Sequence, residues 1–389
     1  MIVELSILEL CVGMYLMDIS APKGKFHLVK PGWVESEKII AGFKSRGVER
    51  VLIDTSKQRV SPDAVSWLSA EDKKFFHTEI VKAKTVFDES KNIQKKVFHD
   101  AENGVPLDLL PVRKVTDEAI ELIFNNPDAL ACVINIRRKD EYLLEHSVAV
   151  SVLITIFSFY MKIEKETIRE LAIGAFLHDV GKIKTPDEIL NKPGKLTDDE
   201  FEIMKMHATH SINIVKMSPG ISALSLEVVR LHHEKLNGQG YPSGAKAKQI
   251  SKYGRMISIC DIFDALTSNR CYKQGYSQVK AFSILRALAE NNHLDILLVD
   301  TFIKCMGVYP VGALVQLDSN RLAIVESQNR QDPIRPRVKP FYCLQPKHFE
   351  AAKEIDLSIN KDEQIVKCVR ADDFALDMEL IIEFLAHQG

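Results

Sequence analysis

Residues 171–182 read Leu-Ala-Ile-Gly-Ala-Phe-Leu-His-Asp-Val-Gly-Lys, an apolar run that ends in an adjacent histidine and aspartate. The run predicts a buried helix, with His178 and Asp179 at its end. Adjacent residues on a helix point about 100° apart, so this pair can reach two metal ions at once if the aspartate bridges them. The stretch therefore indicates a helical core built around a metal site.

Further candidate ligands lie on both sides of this stretch and belong to the same predicted site. The complete set is His146, His178, Asp179, His207, His232, His233 and Asp261. Imidazoles and carboxylates hold borderline transition metals, and a dinuclear site suits hydrolysis of a phosphodiester. A single histidine on a helix is usually a packing or surface residue, and we interpret His210 and the histidines at 77, 99, 293, 348 and 387 in that way. Seven donors at these spacings are hard to explain as core packing.

The composition excludes several classes of protein. The net charge of -2 over 389 residues offers no polybasic surface, so neither a nucleic acid polymer nor a membrane is an expected partner. Seven scattered cysteines without a CxxC motif predict reduced thiols in a cytoplasmic protein. The charge-free run Val148–Met161 is shorter than the about 20 residues that cross a bilayer, and predicts a buried helix.

The chain is predicted to be mainly α, with three parts. Residues 1–110 are expected to form a small α+β regulatory module with a connector. Residues 111–306 are expected to form an all-helical catalytic core, and residues 307–389 a short β-rich extension with a closing helix over 373–387.

Local signals support this division. At the start of the chain, a helix over 35–46 leads through Gly47 into a buried strand over 51–53. The polar, Lys-rich segment 57–110 predicts a loop and a helix from about 72 to 98, which we interpret as a solvated connector. Thr185 predicts a helix N-cap, Thr197–Glu200 a capping box, and 313–325 a hairpin turning at 319–320.

Several motifs resemble known families. The run 177–182 resembles the HD superfamily of metal-dependent phosphohydrolases. Residues 185–197, 232–242 (His-His-Glu-Lys-Leu-Asn-Gly-Gln-Gly-Tyr-Pro) and 261–270 are similar to the HD-GYP family, and the likeness covers about 130 to 310. The N-terminal part of the chain, through its residues 12–15 and 47–54, is similar to an uncharacterised module that often precedes HD-GYP domains.

The resemblance implies hydrolysis of a bacterial cyclic dinucleotide, with cyclic di-GMP as the first expected substrate and cyclic GMP-AMP as the other. It implies that the seven donors bind metal, with Asp179 as the bridge, and that Lys182 meets the scissile phosphate. It also implies dinucleotide contacts by Arg270, Lys273, Gly240 and Tyr241. A homodimer, and a protein partner at the Gly-Tyr-Pro loop, are further expectations of the family.

Two departures from the family pattern affect these expectations. Some members hold a third metal partly through a glutamate where this chain has Tyr142, so we expect two divalent ions, which the ligand chemistry allows to be Fe, Mn, Ni or Zn. Where family members usually have Asp-Arg-Pro-Tyr, this chain has Asn-Arg-Cys-Tyr at 269–272, and this difference leaves the choice of dinucleotide open.

The expected reaction is attack on phosphorus by a hydroxide held between the metals, with Lys182 stabilising the charge that develops. One alternative is a cyclic-dinucleotide receptor or signalling adaptor with little catalysis. Another is a different HD-fold activity, such as a nucleotidase or a di-iron oxygenase. Intact ligand positions disfavour the receptor, and the Gly-Tyr-Pro loop with the Arg270 and Lys273 pair disfavours the other activities.

Overall fold

The computed structural model of the chain divides it into two compact units, one formed by residues 1–77 with 313–389 and the other by residues 78–312. The structure describes residues 2–7, 10, 14–22, 28, 30–34, 37–58, 70–134, 142–268, 275–309, 311–329, 332, 334–350, 353–369, 371–374, 376 and 381. The predicted boundaries after residues 110 and 306 stay predictions.

The first unit opens with an antiparallel sheet in the strand order β1-β4-β2-β3. Its elements are β1 (Ile2–Ser6), β2 (Met14–Ala21), β3 (Gly32–Trp33), α1 (Glu37–Ser45) and β4 (Arg50–Gln58). Val51 and Ile53 on β4 are buried against Ile40 of α1, as their apolar run predicts. Gly47, with φ of 80°, follows α1 in the left-handed conformation that glycine adopts at little cost.

The second unit is helical and contains the predicted core. In chain order its helices are α2 (Ala70–Glu102), α3 (Leu109–Asn125), α4 (Pro127–Ile134), α5 (Tyr142–Tyr160), α6 (Lys165–Leu177), α7 (Asp187–Leu190), α8 (Asp198–Lys216), α9 (Ala223–Leu231), α10 (Lys252–Thr267), α11 (Gln278–Glu290) and α12 (Ile296–Met306). Of α2, the residues from 78 onward belong to this unit. Short 3-10 turns follow α6 at Val180–Lys184 and precede α10 at Ala247–Gln249. The mainly α fold class is thereby confirmed.

Helix α5 lies at the centre of this unit, which explains its uninterrupted apolar sequence. It packs against α3, α4, α6, α10 and α12, and every residue from 145 to 154 is buried. A helix that is apolar on all sides requires neighbours on all sides. None of the described helices has the length and hydropathy that a bilayer crossing needs.

A second sheet follows the helices and belongs with the opening sheet to the first unit. Its strands are β5 (Leu314–Leu317), β6 (Arg321–Ser327), β7 (Arg337–Leu344), β8 (Lys347–Phe349), β9 (Ile355–Asp356) and β10 (Ile365–Val369). The order is β10-β5-β6-β7-β8, with β9 paired to β7. The predicted hairpin is confirmed, because β5 and β6 pair antiparallel around Asn320, whose φ is 62°.

Three local predictions have mixed outcomes. The capping box at Thr197 is confirmed, with reciprocal bonds between Thr197 and Glu200. Thr185 is not a helix N-cap, because α7 begins at Asp187 with Pro186 in the capping position and forms only one turn. The closing helix over 373–387 falls largely outside the described residues, and the described stretch Ala371–Phe374 is a single 3-10 turn.

The interpretation of the Lys-rich segment as a solvated connector is wrong for its second half. Within α2, Ala83, Phe87, Val97 and Ala101 are buried in the main helical core. They recur at helical spacing and form one apolar stripe, while the lysines and acids occupy the other faces. The high charge of the segment as a whole conceals this stripe, so α2 belongs to the helical unit.

Because one side of α2 is buried, the same substitution should affect stability at a buried position of the helix and much less at an exposed one. We expect Val97→Ala, at a side chain 4% exposed, to lower the free energy of unfolding by about 2 kcal/mol, because two buried methyl groups are lost and a cavity remains. The matched control is Val81→Ala, at a side chain 48% exposed, which should change it by less than about 0.5 kcal/mol. Urea unfolding followed by far-ultraviolet circular dichroism measures both. Equal effects at the two positions would contradict the assignment of α2 to the core.

Candidate metal centre

Five helices bring the seven predicted donors together. His146 lies on α5, His178 caps the end of α6 with Asp179 directly after it, and His207 lies on α8. His232 and His233 follow the end of α9, and Asp261 lies on α10. All are buried except His233, whose side chain is 21% exposed. Packing of α5 on α6 and α10, and of α6 on α9, makes this convergence possible.

The donors form two groups that share one aspartate. His146, His178 and Asp179 each offer a ligand atom within 4.8 Å of the others, and so do Asp179, His207, His232 and His233. One oxygen of Asp179, Oδ1, lies 3.3 Å from Nε2 of His207. The other oxygen, Oδ2, lies 3.3 Å from Nε2 of His178 and 3.4 Å from Nε2 of His146. The two oxygens of one carboxylate thus face two different sets of imidazoles.

Asp261 also reaches both groups. Its Oδ1 lies 3.1 Å from Nε2 of His146 and 3.8 Å from Nε2 of His178. Its Oδ2 lies 3.2 Å from Nδ1 of His233. A buried carboxylate on an apolar helix needs compensating charge, and these imidazoles surround it.

Backbone carbonyls fix the orientation of three of the rings. His178, His207 and His232 each place Nδ1 2.6–2.7 Å from the carbonyl oxygen three residues earlier, at Ala175, Met204 and Val229. A carbonyl only accepts hydrogen bonds, so Nδ1 carries the proton and Nε2 presents a lone pair to the centre. This is the tautomer that a metal ligand needs.

His146 is oriented by a carboxylate instead. Its Nδ1 lies 2.7 Å from Oδ2 of Asp264, one turn after Asp261 on α10. A histidine that binds a metal commonly donates its other ring N–H to a carboxylate, which fixes the ring and makes the ligating nitrogen more basic. Asp264 was not among the predicted site residues. Its spacing of three residues from Asp261 on an otherwise apolar helix was the available signal.

Buried donor atoms at the centre have no hydrogen-bond partner. They are Nε2 of His178, Nε2 of His207, Nε2 of His232 and Oδ1 of Asp179. Leaving buried polar atoms unsatisfied is costly, and proteins rarely do so without a reason. Four inward-facing donors of this chemistry fit divalent metal ions.

The electrostatics keep His207 and His232 neutral and Asp179 charged. His146 differs, because burial lowers its pKa but the hydrogen bonds and charges of Asp261 and Asp264 outweigh burial and raise it to about 9. Burial lowers the pKa of His207 to about 3; nearby Asp179 opposes that shift, while Lys182 and His233 reinforce it. Burial raises the pKa of Asp179, but His178 and Lys182 outweigh that effect and hold it well below the usual range. Neutral nitrogen and ionised oxygen are the forms in which these groups bind metals.

Lys182, which the resemblance predicts to meet the scissile phosphate, lies beside the shared carboxylate. It ends the first turn after the His-Asp pair, and its Nζ forms an ion pair with Oδ2 of Asp179. The Lys182 side chain is 15% exposed, whereas that of Asp179 is 1% exposed.

Gly181 joins the His-Asp turn to α8. Its N–H donates to Oγ of Ser211 over 2.8 Å. A Cβ at this position would lie 2.2 Å from the carbonyl oxygen of His207 and 2.3 Å from the amide nitrogen of Ser211, so only glycine fits. The close approach sets the distance between Asp179 and His207.

The loop after His233 is held by Glu234. This buried carboxylate accepts hydrogen bonds from the amides of Ser243 and Ala245, each over 2.8 Å. In the sequence, Glu234 stood out only as part of the motif at 232–242, and its hydrogen bonds to the loop were not predicted. Gly240 crosses directly over it, since a Cβ there would lie 2.4 Å from the amide nitrogen of Lys235.

Tyr241 covers the more exposed side of the centre. Its ring centroid lies 4.6 Å from that of His233 and 6.1 Å from that of His207. Burial raises the pKa of Tyr241, with the charges of Asp261 and Asp179 acting in the same direction, so the phenol stays neutral. Tyr241 is therefore beside the donors and Gly240 is beside Glu234, while the substrate contacts expected of both residues stay predictions.

The remaining predicted positions cannot be placed. Arg270 and Lys273, with the whole segment 269–274, lie outside the described residues. The backbone of Tyr142 begins α5, and its side chain is also outside the described set.

Comparison with known proteins gives a consistent result. The HD domain family matches residues 133–298, and a domain of unknown function, DUF3391, matches residues 2–112. The chain is 32% identical to "Cyclic di-GMP phosphodiesterase PA4108" of Pseudomonas aeruginosa, across 92% of this chain and 89% of that protein. It is 33% identical to "3'3'-cGAMP-specific phosphodiesterase 1" of Vibrio cholerae, across 43% of this chain and only 38% of that protein.

One solved structure shares the fold. It is Bd1817, described as an HDG"Y"P protein from Bdellovibrio bacteriovorus, with a TM-score of 0.50 and 17% identity. The similarity covers 78% of this chain and 98% of that one. At this identity the likeness concerns the fold alone.

The packing of Gly181 generates a prediction. We expect Gly181→Ala to lower the free energy of unfolding by about 3 kcal/mol, because the new methyl group overlaps backbone atoms of α8 that cannot move independently. The control is Gly42→Ala within α1, where nothing lies within 4 Å and the change should be neutral or stabilising by up to about 1 kcal/mol. Thermal and urea unfolding measure both variants. A Gly181 variant as stable as the original chain would show that the close contact with α8 is absent in solution.

Proposed function

The chain belongs to the HD-GYP family of HD-domain phosphodiesterases, and we propose that it hydrolyses cyclic di-GMP with two divalent metal ions bound around Asp179. The relative that matches along nearly the whole chain bears the name of a cyclic di-GMP phosphodiesterase, which favours this substrate. The cGAMP-specific relative matches over less than half of the chain, which makes 3'3'-cGAMP the second candidate. The reaction takes place in the cytoplasm, in keeping with the scattered cysteines.

One observation carries the two-metal proposal, namely that Asp179 is shared by the two donor groups. His146, His178, Asp179 and Asp261 would hold the first ion. Asp179, His207, His232 and His233 would hold the second. The mixture of imidazole and carboxylate suits Fe, Mn, Ni or Zn.

The residues around the ions prepare a phosphodiester for attack. When bound, such a pair of ions supplies an activated water and neutralises charge on the phosphate. The Lys182 ammonium lies at the shared carboxylate, so a phosphate placed there meets a fixed positive charge that stabilises the transition state. Tyr241 and Gly240 limit access of bulk water on the side of His233.

Arg270 and Lys273 are proposed to hold the dinucleotide. A guanidinium can bind phosphate or the edge of a guanine through two hydrogen bonds. A homodimer and a protein partner at the Gly-Tyr-Pro loop stay predictions. A receptor without catalysis is disfavoured, because a chain that only binds the dinucleotide does not need seven converging donors.

A direct test incubates the full chain with Mn²⁺ or Fe²⁺ and with cyclic di-GMP, 3'3'-cGAMP or cyclic di-AMP, followed by chromatography of the products. We expect cleavage of cyclic di-GMP, loss of activity with a chelator and recovery when metal is restored. Asp179→Asn should lose metal and at least about a thousandfold in rate, since metal ions supply several kcal/mol of charge stabilisation.

The control for this variant is Asp300→Asn, which removes an exposed carboxylate on α12 and should leave metal content and rate unchanged. Two metals by elemental analysis and a near-normal rate in the Asp179 variant would refute the bridging assignment. Binding of cyclic di-GMP by metal-loaded chain without any cleavage would favour the receptor.

The hydrogen bond between His146 and Asp264 generates a second prediction. We expect Asp264→Asn to weaken metal binding about 10- to 100-fold, because an amide cannot hold the His146 ring with the charge of a carboxylate. The matched control is Ser268→Ala, which removes a neighbouring 3.0 Å hydrogen bond to the same oxygen but leaves the contact with His146. Metal titration of the chelator-treated proteins measures both variants. Equal affinities for the Asp264 variant and the original chain would show that His146 does not depend on this carboxylate.

A further inference from the structure

An exposed phenylalanine lies beside the tyrosine that covers the metal centre. Phe201 is in the first turn of α8, and its side chain is 46% exposed. Its ring centroid lies 6.3 Å from that of Tyr241, with the two rings nearly perpendicular at 87°. Because Tyr241 in turn lies 4.6 Å from His233, the three rings form a continuous row from the donors to the surface.

Packing of α8 against the rest of the unit does not require an aromatic residue here. The buried side of α8 consists of His207, Ala208, Ser211 and Val215. Single exposed apolar residues are common, and exposure alone carries no function. Two aliphatic residues on the same helix, Ile203 and Met206, are exposed to a similar extent, at 44% and 48%. The distinguishing feature of Phe201 is its position at the outer end of the ring row.

A lysine accompanies this ring. Nζ of Lys205 lies 5.4 Å from the centroid of Phe201, and it also pairs with Oε1 of Glu202 over 2.6 Å. The ammonium is attracted to the ring, and it places a cation there whose charge the carboxylate of Glu202 partly offsets. An aromatic face next to a cation is the combination with which proteins hold single-stranded nucleic acids, where bases stack and phosphates meet the charge.

We propose that Phe201 stacks on one purine base of the cyclic dinucleotide while a phosphate of the same molecule lies at Lys182. This inference rests on the proposed function and adds a substrate-binding residue to it. The phosphate and the base of one nucleotide are separated by the length of a sugar. From His233, the ring row extends outward in steps of 4.6 Å and 6.3 Å, so a nucleotide with its phosphate at the centre would extend past Tyr241 to place its base on Phe201.

The stacking role predicts a defect in binding rather than in chemistry. We expect Phe201→Ala to raise KM for cyclic di-GMP about tenfold, which corresponds to about 1.4 kcal/mol, because the stacking of one base on an aromatic ring is lost. The kcat should change by less than about twofold, because the stack is present in the ground state and the transition state alike. Phe201→Trp should keep the KM of the original chain, because tryptophan also offers an aromatic ring on which a base can stack. Ile203→Ala is the matched control and should leave both constants unchanged.

Inorganic phosphate separates lost stacking from a damaged centre. It competes at the metal site but has no base, so its inhibition constant should be the same for the original chain and for Phe201→Ala. A rise in this constant that parallels the rise in KM would mean that the substitution disturbs the centre, and would overturn the inference. An unchanged KM in Phe201→Ala would overturn it as well.

Direct binding distinguishes failure of this inference from failure of the proposed function. A cyclic dinucleotide carrying 2-aminopurine loses fluorescence when its base stacks on an aromatic ring. Quenching by the original chain that is lost in Phe201→Ala supports the stacking role even if no cyclic dinucleotide is cleaved. Cleavage with identical quenching by both chains leaves the proposed function intact and refutes the role of Phe201.

Discussion

The fully buried carboxylate of Asp179 is the constraint on which the helical unit depends. Removing a charge from water costs several kcal/mol, so the surrounding structure must supply compensating partners from every side. Those partners come from α5, α6, α8 and α9, and from the turn that carries Lys182. Each of these elements can reach the carboxylate only if its own packing places it within a few ångströms. The arrangement of the helices is therefore inseparable from the arrangement of the donors.

Helix ends contribute to this arrangement in a second way. The last carbonyls of a helix have no amide partner within it. At the ends of α6 and α9, the rings of His178 and His232 donate to such carbonyls at Ala175 and Val229. The same bond satisfies the helix end and turns Nε2 of the ring towards the centre. Ending two helices on histidine thus solves a capping problem and an orientation problem together.

The sequence identifies which side chains converge, because histidine and aspartate are rare in an apolar setting. Histidine and aspartate at the end of an apolar run require an explanation in any fold, and the structure brings all seven candidates together. The roles of Asp264, Glu234 and Gly181 were not predicted, because each depends on a contact with an element distant in the chain. The core stripe of α2 was missed for a related reason, since lysines on its other faces dominate the composition. The pairing of β10 with β5 likewise depends on residues far apart in sequence.

Local charge explains how a chain with a net charge of -2 can bind an anionic substrate. Two divalent ions would bring four positive charges, whereas Asp179, Asp261 and the buried Asp264 beside His146 together remove three. The neutral His207 and His232 remove none, because burial holds the pKa of His207 at about 3 and that of His232 well below its usual value. The surplus, with Lys182 beside it, matches the two negative phosphates of a cyclic dinucleotide. A site built mainly from carboxylates would cancel that surplus, so the preference for imidazole ligands serves substrate binding as well as metal binding.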